Sequence, residues 1–385
     1  MSAQRQCEIV CVVGARPNFM KIAPVMRALD SAAIPAQLVH TGQHYDAAMN
    51  ERFFTDLNIP HPDLNLEVGS ASHAVQTAEV MSRFEPVLDR LNPRAILVVG
   101  DVNSTIACAL VAAKKGIGVI HVEAGLRSYD RGMPEEINRV LTDQISDLLF
   151  TTEQHAIDNL EREGIARERV HFVGNVMIDT QLHSLGRAIP WRESLQAAGI
   201  APERFAPAGD YGVLTLHRPS NVDDGAILER LITALAEIAR ELPLVFPLHP
   251  RTRERLQAFG LEQRLEEAPI AVLPPAGYLE MLGLMKDAKA VLTDSGGMQE
   301  ETTALGVPCI TLRENTERPI TIDAGTNVLV GHDTERLHAA FREVVDHGGK
   351  QGRIPQHWDG RAGERIAAVI GEWLGQPQTS TGATG

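Results

Sequence analysis

Two short stretches of this 385-residue chain decide how it folds: residues 95–101 read AILVVGD, and residues 118–125 read GVIHVEAG. Each is a mostly apolar run that ends beside a carboxylate, Asp101 in the first and Glu123 in the second. Apolar runs without polar alternation are typical of strands covered on both faces of a sheet. We therefore expect neighbouring parallel strands, Ala95–Val99 and Gly118–Val122, whose carboxyl ends deliver these two carboxylates.

The same unit, a strand followed by a turn and a helical pattern, recurs along the chain. Alternating strands and helices predict an α/β fold with a doubly wound parallel sheet in each half. The other predicted strands are Cys7–Val13, Gln37–Thr41, Leu148–Thr151, Val170–Val173, Tyr211–Leu216, Leu244–Leu248, Ile270–Leu273, Ala290–Thr293, Pro308–Leu312 and Asn327–Val330. After Pro134, one helical face collects Ile137, Val140, Leu141, Ile145 and Leu148.

The length suggests two domains, and the boundary is expected in the Pro- and Gly-rich region before residue 211. We expect a Rossmann-like domain over residues 1–175, a linker over 176–210, a second Rossmann-like domain over 211–374 and a disordered tail over 375–385. The last helix of the second domain could pack back on the first.

The formal charge excludes some partners. With 36 Lys+Arg and 50 Asp+Glu the chain carries −14, which argues against nucleic acid or an anionic membrane as the main partner. The four cysteines include no Cys-x-x-Cys pair, so we expect buried thiols in a reducing compartment. No secretory pattern and no membrane-length apolar run is found, and the protein is predicted to be cytoplasmic.

A glycine pair after the strand Ala290–Thr293 is the most informative motif. In DSGGMQEE, residues 294–301, Ser295 can cap a helix, while Gly296 and Gly297 let a ligand approach backbone N–H groups that suit a phosphate. Glu301, one turn on, could accept hydrogen bonds from a ribose diol. A simple capped helix explains the motif equally well, and no dinucleotide fingerprint or Walker loop is present.

Carboxylates cluster at predicted strand and loop ends. Asp101, Glu123 and Glu135 could meet at one site, where neighbouring carboxylates can hold an acid and a base together. The alternative for each residue alone is a structural role: Glu135 and Glu136 would complement a helix dipole, and Asp101 would form a turn.

Basic side chains also lie at predicted strand ends or in loops, where they could bind a diphosphate. A solvated surface Arg or a structural His is the alternative for each. No spacing matches a metal site, and no GxSxG elbow is present. The group comprises Arg16, Lys21, His217, Arg218, His249, Arg251 and Arg318.

Seven motifs in order resemble the non-hydrolysing UDP-N-acetylglucosamine 2-epimerases. The resemblance spans roughly residues 7–373 and implies the two-domain architecture of the B-type glycosyltransferases, with two Rossmann-like domains facing a cleft that holds the active site, and a homodimer. The motifs are GARPNFMKIAP (14–24), GDVNST (100–105), HVEAGLRS (121–128), PEEINR (134–139), HRPSN (217–221), DSGGMQEE (294–301) and TERP (316–319).

The resemblance also implies a reaction and its residues. The family eliminates UDP across C1–C2 to give 2-acetamidoglucal and adds it back with the opposite C2 configuration, without NAD or metal, so no cofactor is expected. By motif match, Asp101, Glu123 and Glu135 are the acid/base carboxylates and His217 lies near the diphosphate or the proton-transfer site. The substrate-binding positions are Arg16, Lys21, Arg139, His249, Ser295, Gly296, Gly297, Glu301 and Arg318.

Three departures bear on regulation and on the sugar. Asn18 stands where many members have Glu, Pro219-Ser220 where many have Arg-Glu, and Met281 where many have an aromatic residue. The catalytic set stays intact. Alternatives are a hydrolysing relative that releases ManNAc and UDP, an epimerase of a related UDP-2-acetamido sugar such as a diacetamido-uronic acid, a glycosyltransferase on the same fold, and a non-catalytic nucleotide-sugar sensor. The last two have no need for three clustered carboxylates.

Overall fold

The computed structural model describes residues 7–42, 57 and 59–376, which form two compact units. One unit contains residues 1–180 and 357–385, and the other contains residues 181–356. Each unit is built on one parallel sheet with helices between successive strands. The predicted α/β fold with two doubly wound sheets is confirmed.

The first unit has seven parallel strands in the order β3-β2-β1-β4-β5-β6-β7. These are β1 (Ile9–Val13), β2 (Ala36–His40), β3 (Leu64–Asn65), β4 (Ala95–Val99), β5 (Gly118–Val122), β6 (Leu148–Thr151) and β7 (Val170–Phe172). Its helices are α1 (Arg16–Ser31), α2 (His73–Leu91), α3 (Asn103–Lys114), α4 (Pro134–Ile145), α5 (Gln154–Arg162) and α6 (Val176–Ser184), the last crossing into the second unit, with a C-terminal helix described below.

The second unit has six parallel strands in the order β10-β9-β8-β11-β12-β13. These are β8 (Gly212–Thr215), β9 (Leu244–Pro247), β10 (Ile270–Leu273), β11 (Ala290–Thr293), β12 (Cys309–Thr311) and β13 (Asn327–Leu329). Its helices are α7 (Trp191–Ala197), α8 (Pro202–Phe205), α9 (Pro219–Val222), α10 (Gly225–Ala239), α11 (Pro250–Ala258), α12 (Glu262–Glu266), α13 (Tyr278–Lys286), α14 (Gly296–Leu305), α15 (Pro319–Asp323) and α16 (Thr334–His347).

Both strand orders reverse direction at one place, between β1 and β4 in the first sheet and between β8 and β11 in the second. Outside the carboxyl ends of the two strands at such a switch point, the connections diverge and leave a crevice where ligands of open α/β sheets bind. The four strands at the switch points are buried along their whole length and end at Val13, Val99, Thr215 and Thr293. The crevice of each sheet is therefore expected just beyond these residues.

The chain returns to the first unit at its C-terminal end. Helix α17 (Ala362–Gly375) packs on α1, where a Cβ on Gly363 would lie 2.7 Å from the Pro24 carbonyl oxygen. Asp179 accepts the backbone N–H groups of Ala362 and Gly363 at 3.1 and 2.7 Å. The region predicted as a linker, 176–210, contains α6, α7 and α8. The predicted tail beyond Gln376 lies outside the described residues.

Helix α4 forms after Pro134 as predicted and buries a polar face. Its buried face is polar, with Glu136, Arg139 and Asp143 almost fully buried, whereas Ile137 and Leu141 are 44% and 50% exposed.

The two-residue strand β3 was not predicted, because two residues beside a proline-containing loop give no periodic signal. The four cysteines are free and buried, as predicted. Among the described residues, no helix combines the length and apolarity needed to cross a membrane.

Candidate active site

The candidate carboxylate site of the first unit contains Lys21, Asp101, Glu123 and Arg139, and the predicted residue Glu135 lies on the same helix as Arg139. Glu123 follows β5 directly and has φ of 73°, a left-handed conformation that is uncommon for a non-glycine residue. Its backbone N–H is fixed by the Phe150 carbonyl at 3.0 Å. Backbone strain of this kind clusters at functional sites, where it re-aims a side chain.

Lys21 supplies the positive charge beside Glu123. Its Nζ lies 2.6 Å from Glu123 Oε2, and both side chains are almost completely buried. Lys21 is in the second turn of α1, the helix that follows β1. The absence of a side chain at Gly100 makes room for it, because a Cβ there would lie 3.0 Å from Lys21 Nζ.

Asp101 is held by Arg139. Nε and Nη2 of Arg139 reach Asp101 Oδ2 at 3.1 and 2.5 Å, and Nη1 reaches Glu136 Oε2 at 2.8 Å. Glu135 lies on the same helix, one turn before Arg139, and is half-buried. Because β4 and β5 pair in register up to Val99 and Val122, the structure brings Asp101 and Glu123 to neighbouring strand ends, as predicted.

Glu136 has a structural role, which the sequence left open. Its carboxylate accepts the backbone N–H groups of Ser128 and Tyr129, each at 2.9 Å, and so closes the loop between β5 and α4. Asn18 is structural too. Its side chain accepts the N–H groups of Gly14 and Ala15 and donates to the Val99 carbonyl at 3.0 Å, which ties the ends of β1 and β4 together.

The basic site of the second unit surrounds the start of α14 and consists of His217, Arg218, Arg313 and Arg318 with the first residues of that helix. Gly296 and Gly297 open the helix, whose first-turn N–H groups are available to an anion. Ser295 occupies the N-cap position, but its side chain makes no capping hydrogen bond, contrary to the prediction. Its backbone N–H instead donates to Thr293 Oγ1 at 2.9 Å.

Two buried arginines face this helix start. Arg318 pairs with Glu300 at 2.8 Å and with Glu317, and Arg313 pairs with Glu317 at 2.8 Å. Burial alone would raise the pKa of Glu317, but Arg318 and Arg313 together hold that pKa well below its usual range. A Cβ on Gly296 would lie 2.7 Å from Glu317 Oε1 and 2.9 Å from Arg318 Nη1, so only glycine lets these groups approach the helix.

His217 is positioned by Asp294. Its Nδ1 lies 2.9 Å from Asp294 Oδ1, and its side chain remains 38% exposed. Asp294 is fully buried. Although burial favours its neutral form, the interactions with His217 and the backbone N–H groups of His217 and Arg218 lower its pKa. The His249 ring lies 5.6 Å from that of His217 and accepts the Arg251 N–H at 3.2 Å.

Glu301 is buried inside the second unit. Burial raises its pKa to about 8, although the Tyr278 hydroxyl opposes this shift, and the charge of Glu300 adds to it. The Tyr278 hydroxyl and the Glu301 carboxyl interact through a side-chain hydrogen bond, and burial together with the charge of Glu301 raises the pKa of that hydroxyl well above its usual value. Gln181 Nε2 holds the Glu301 carbonyl at 2.9 Å.

Two predicted positions remain, Arg16 and Arg251. Arg16 begins α1, but its side chain lies outside the described residues. Arg251 pairs with Asp223 on the surface, where its side chain is 42% exposed, which fits the alternative of a solvated arginine. Within residues 7–42, 57 and 59–376, no group of three or more His, Cys, Asp or Glu side chains could hold a metal ion.

Comparison with known proteins identifies the family. The sequence profile of the UDP-N-acetylglucosamine 2-epimerases matches residues 27–371. A UDP-N-acetylglucosamine 2-epimerase of Methanococcus maripaludis is 42% identical over 371 residues, covering 94% of this chain and 98% of the relative. The chain belongs to the UDP-N-acetylglucosamine 2-epimerase family.

The family includes relatives with different substrates in their names. A UDP-2,3-diacetamido-2,3-dideoxy-D-glucuronate 2-epimerase of Pseudomonas aeruginosa is 39% identical, covering 94% of this chain and 99% of the relative. The crystal structure of the Methanocaldococcus jannaschii UDP-GlcNAc 2-epimerase in complex with UDP-GlcNAc and UDP is 41% identical, with a TM-score of 0.81 over 95% of this chain and 99% of that one.

Sequence reasoning missed Arg313 and Asp294 as parts of the basic site. Arg313 lies just after β12 and Asp294 just after β11, in the same position relative to a strand end as Asp101 and Glu123. A search of all predicted strand ends could therefore have found both residues. Glu317 follows Arg313 at the local spacing i,i+4, whereas His217 and Asp294 lie 77 residues apart, so only the second pairing has no local signal in the sequence.

Proposed function

We propose that this protein interconverts UDP-N-acetylglucosamine and UDP-N-acetylmannosamine by inverting C2 of the sugar. One observation supports this most directly: Asp101 and Glu123 lie at adjacent strand ends of a chain from the epimerase family, each held by its own cation, Arg139 or Lys21. A site that only binds an anionic diphosphate gains nothing from these carboxylates.

The chemistry explains why carboxylates are needed. The C2 proton is not next to a carbonyl carbon, so direct deprotonation is unfavourable. In an anti elimination, a carboxylate takes the C2 proton, the C2–H electrons form the C1=C2 bond of 2-acetamidoglucal, and UDP leaves with the C1–O electrons. In the return step, a UDP oxygen attacks C1 while a second carboxylate delivers a proton to the other face of C2.

The basic site suits the leaving group. N–H groups at the start of α14, together with Arg318 and Arg313, would bind the diphosphate and stabilise the charge that develops on UDP. His217 and His249 would lie on the sugar side of the diphosphate. Glu301 would bind the ribose diol. Ser295, Gly296 and Gly297 would contact the phosphates, and Arg16 and Lys21 would act with the carboxylate site.

Proton NMR in D₂O tests the proposal. Purified protein incubated with UDP-GlcNAc is expected to produce UDP-ManNAc, with deuterium at C2 of both epimers. Asp101→Asn, Glu123→Gln and Glu135→Gln should each reduce turnover by at least about 100-fold while UDP binding remains. Glu161→Gln, at an exposed residue of α5, is the matched control. The absence of C2 deuteration in the wild type, or near-normal turnover in all three variants, would contradict the proposal.

A diacetamido-uronic acid sugar is the second candidate substrate. The 39%-identical Pseudomonas aeruginosa relative named for that activity supports it, because it spans almost the whole of both chains. Comparison of kcat/KM for UDP-2,3-diacetamido-glucuronate and UDP-GlcNAc distinguishes the two. The preferred substrate should show the higher kcat/KM together with deuterium incorporation at C2.

We further propose that the protein is a cytoplasmic homodimer. The exposed apolar side chains of α4, Ile137 and Leu141, support self-association, because apolar patches of this kind are typical of interfaces. Four free, buried thiols support a reducing compartment. Sedimentation at micromolar concentration should give twice the chain mass.

A further inference from the structure

Among the described residues, His121 is the one buried histidine that has an acceptor opposite each of its two ring nitrogens. It lies on β5, two residues before Glu123, and is completely buried. Its Nδ1 is 2.7 Å from Asp143 Oδ1, and its Nε2 is 2.8 Å from the Gly100 carbonyl oxygen. The role of this side chain is not explained by the acid/base chemistry described above.

The hydrogen bonds specify its protonation state. A carbonyl oxygen can only accept, so Nε2 must carry a proton. Oδ2 of Asp143 accepts Arg127 Nη2 at 2.7 Å and the Gly125 N–H at 3.1 Å, and two donors on one carboxylate oxygen favour the ionised form. With Asp143 ionised, Nδ1 donates to Oδ1 as well, so we infer that the His121 ring is an imidazolium. Burial opposes ionisation of Asp143, but His121 and Arg127 lower its pKa below the usual value.

The charges around the ring are balanced. Arg127 bridges Asp143 to Glu163, with Nη2 at 2.7 and 2.6 Å from their carboxylates. Two cations, His121 and Arg127, thus oppose two anions, Asp143 and Glu163. Lys21, on α1, has its own partner in Glu123. A buried charge is tolerated when it is paired and hydrogen-bonded in this way.

The network holds the two backbone corners that carry the proposed acid/base carboxylates. Nε2 of His121 fixes Gly100, directly before Asp101, and Asp143 fixes Gly125, two residues after Glu123. Both glycines have positive φ, 68° and 80°, so the backbone turns sharply at each. Helix α4 completes the arrangement, because Arg139, one turn before Asp143, binds Asp101 itself.

We propose that His121, as an imidazolium paired with Asp143, is a positioning residue that sets Asp101 and Glu123 at the distance and orientation the reaction needs. This inference rests on the proposed function. The ring touches neither the reacting carbon nor UDP in this proposal and acts only through the two backbone corners. Loss of such a supporting contact typically costs 10- to 100-fold in activity.

Three variants separate the positioning role from a merely structural one. His121→Gln keeps a donor for the Gly100 carbonyl but turns an acceptor toward Asp143, and kcat should fall about 10- to 100-fold with KM little changed. Asp143→Asn should have a similar effect. In the double variant His121→Gln/Asp143→Asn, the Gln oxygen accepts from the Asn amide, and kcat should recover at least about fivefold over either single variant.

The matched control is His171→Gln, the same substitution on β7 of the same sheet and outside the network. It should keep wild-type kcat. Nitrogen-15 NMR of histidine-labelled wild-type protein at pH 7 should show one ring, absent from His121→Gln, with protons on both nitrogens. A neutral ring at this position, wild-type kcat in His121→Gln, or no recovery in the double variant would overturn the inference.

The outcomes for the two proposals are distinguishable. If the wild type neither epimerises nor exchanges the C2 proton of any UDP-sugar tried, the proposed function fails, while the NMR result still reports the imidazolium. If the wild type is active and the variants are equally active, only the positioning role fails. Should the single variants not fold, the ring protonation of the wild type alone decides whether the network has the stated charge.

Discussion

At the scale of single residues, the two sites depend on groups whose ordinary chemistry the fold has changed. Glu123 adopts a left-handed backbone conformation, Gly296 leaves space that a methyl group would fill, and Glu301 is buried with an elevated pKa. Each has a measurable consequence that does not depend on knowing the natural sugar.

UDP binding should depend on the ionisation of Glu301. Burial raises its pKa to about 8, so at pH 7 the free protein holds this carboxyl mostly protonated. If the ribose diol donates to the carboxylate, binding releases the proton, and affinity rises as pH increases toward 8. Calorimetry in two buffers of different ionisation enthalpy should show more proton release at pH 7 for the wild type than for Glu301→Gln. Equal release by both proteins would contradict this role.

Gly296→Ala should weaken UDP binding without unfolding the second unit. The added methyl group would displace the ends of Glu317 and Arg318, which are flexible side chains, and move them from the start of α14. We expect affinity to fall about tenfold, which corresponds to about 1.4 kcal/mol. Gly186→Ala is the control, because a Cβ there meets nothing within 4 Å. Unchanged UDP affinity in Gly296→Ala would exclude this helix start as the phosphate site.

At the scale of elements, α4 shows that a periodic apolar pattern can predict a helix without showing which of its faces is buried. Apolar periodicity after Pro134 correctly indicated a helix, but two residues of the apolar face, Ile137 and Leu141, are exposed. The polar face is buried because Arg139 binds Asp101 and Asp143 binds His121. Sequence could not show this, since the partners lie 38 and 22 residues away along the chain.

Leu141→Asp should convert the proposed dimer to a monomer. Leu141 is 50% exposed, so the substitution introduces no charge into the core of the subunit and should leave its fold intact. At a dimer interface the same charge would be buried without a partner, which is strongly unfavourable. Sedimentation of the variant should give the mass of one chain. Leu182→Asp, at a residue 42% exposed on α6, is the control; a dimeric Leu141→Asp would exclude this face.

Strand ends were the most reliable guide from sequence. Asp101 and Glu123 were placed correctly, because a continuously apolar run fixes where a buried strand stops and hence where the next side chain emerges. Ser295 was placed at a helix start, but its side chain does not cap the helix. Hydrogen bonds between distant segments, such as His121 with Asp143, have no local signature and required the structure.

At the scale of the whole molecule, Asp179 joins α17 to the first unit through two backbone N–H groups. Burial is the main reason that its pKa rises to about 6, although the two N–H groups oppose this shift. The raised pKa favours the protonated form in the folded state. The stability it contributes is therefore fully present below its unfolded pKa near 4 and is lost as pH rises through 6.

The pH dependence of unfolding should report this group. Between pH 4 and pH 7, the free energy of unfolding of the wild type relative to Asp179→Asn should fall by up to about 3 kcal/mol. Urea denaturation of both proteins across that range measures the difference, and all other carboxyls cancel. A difference that does not change with pH would contradict the buried, protonated carboxyl.

The return of the chain to the first unit also has a consequence for synthesis on the ribosome. Residues 181–356 form a unit that is contiguous in sequence, whereas the first unit takes its last helix from the end of the chain. During translation the second unit can therefore complete its fold while the N-terminal unit still lacks α17. The first part of the protein to be made is the last to be finished, and a premature stop before residue 362 leaves it incomplete.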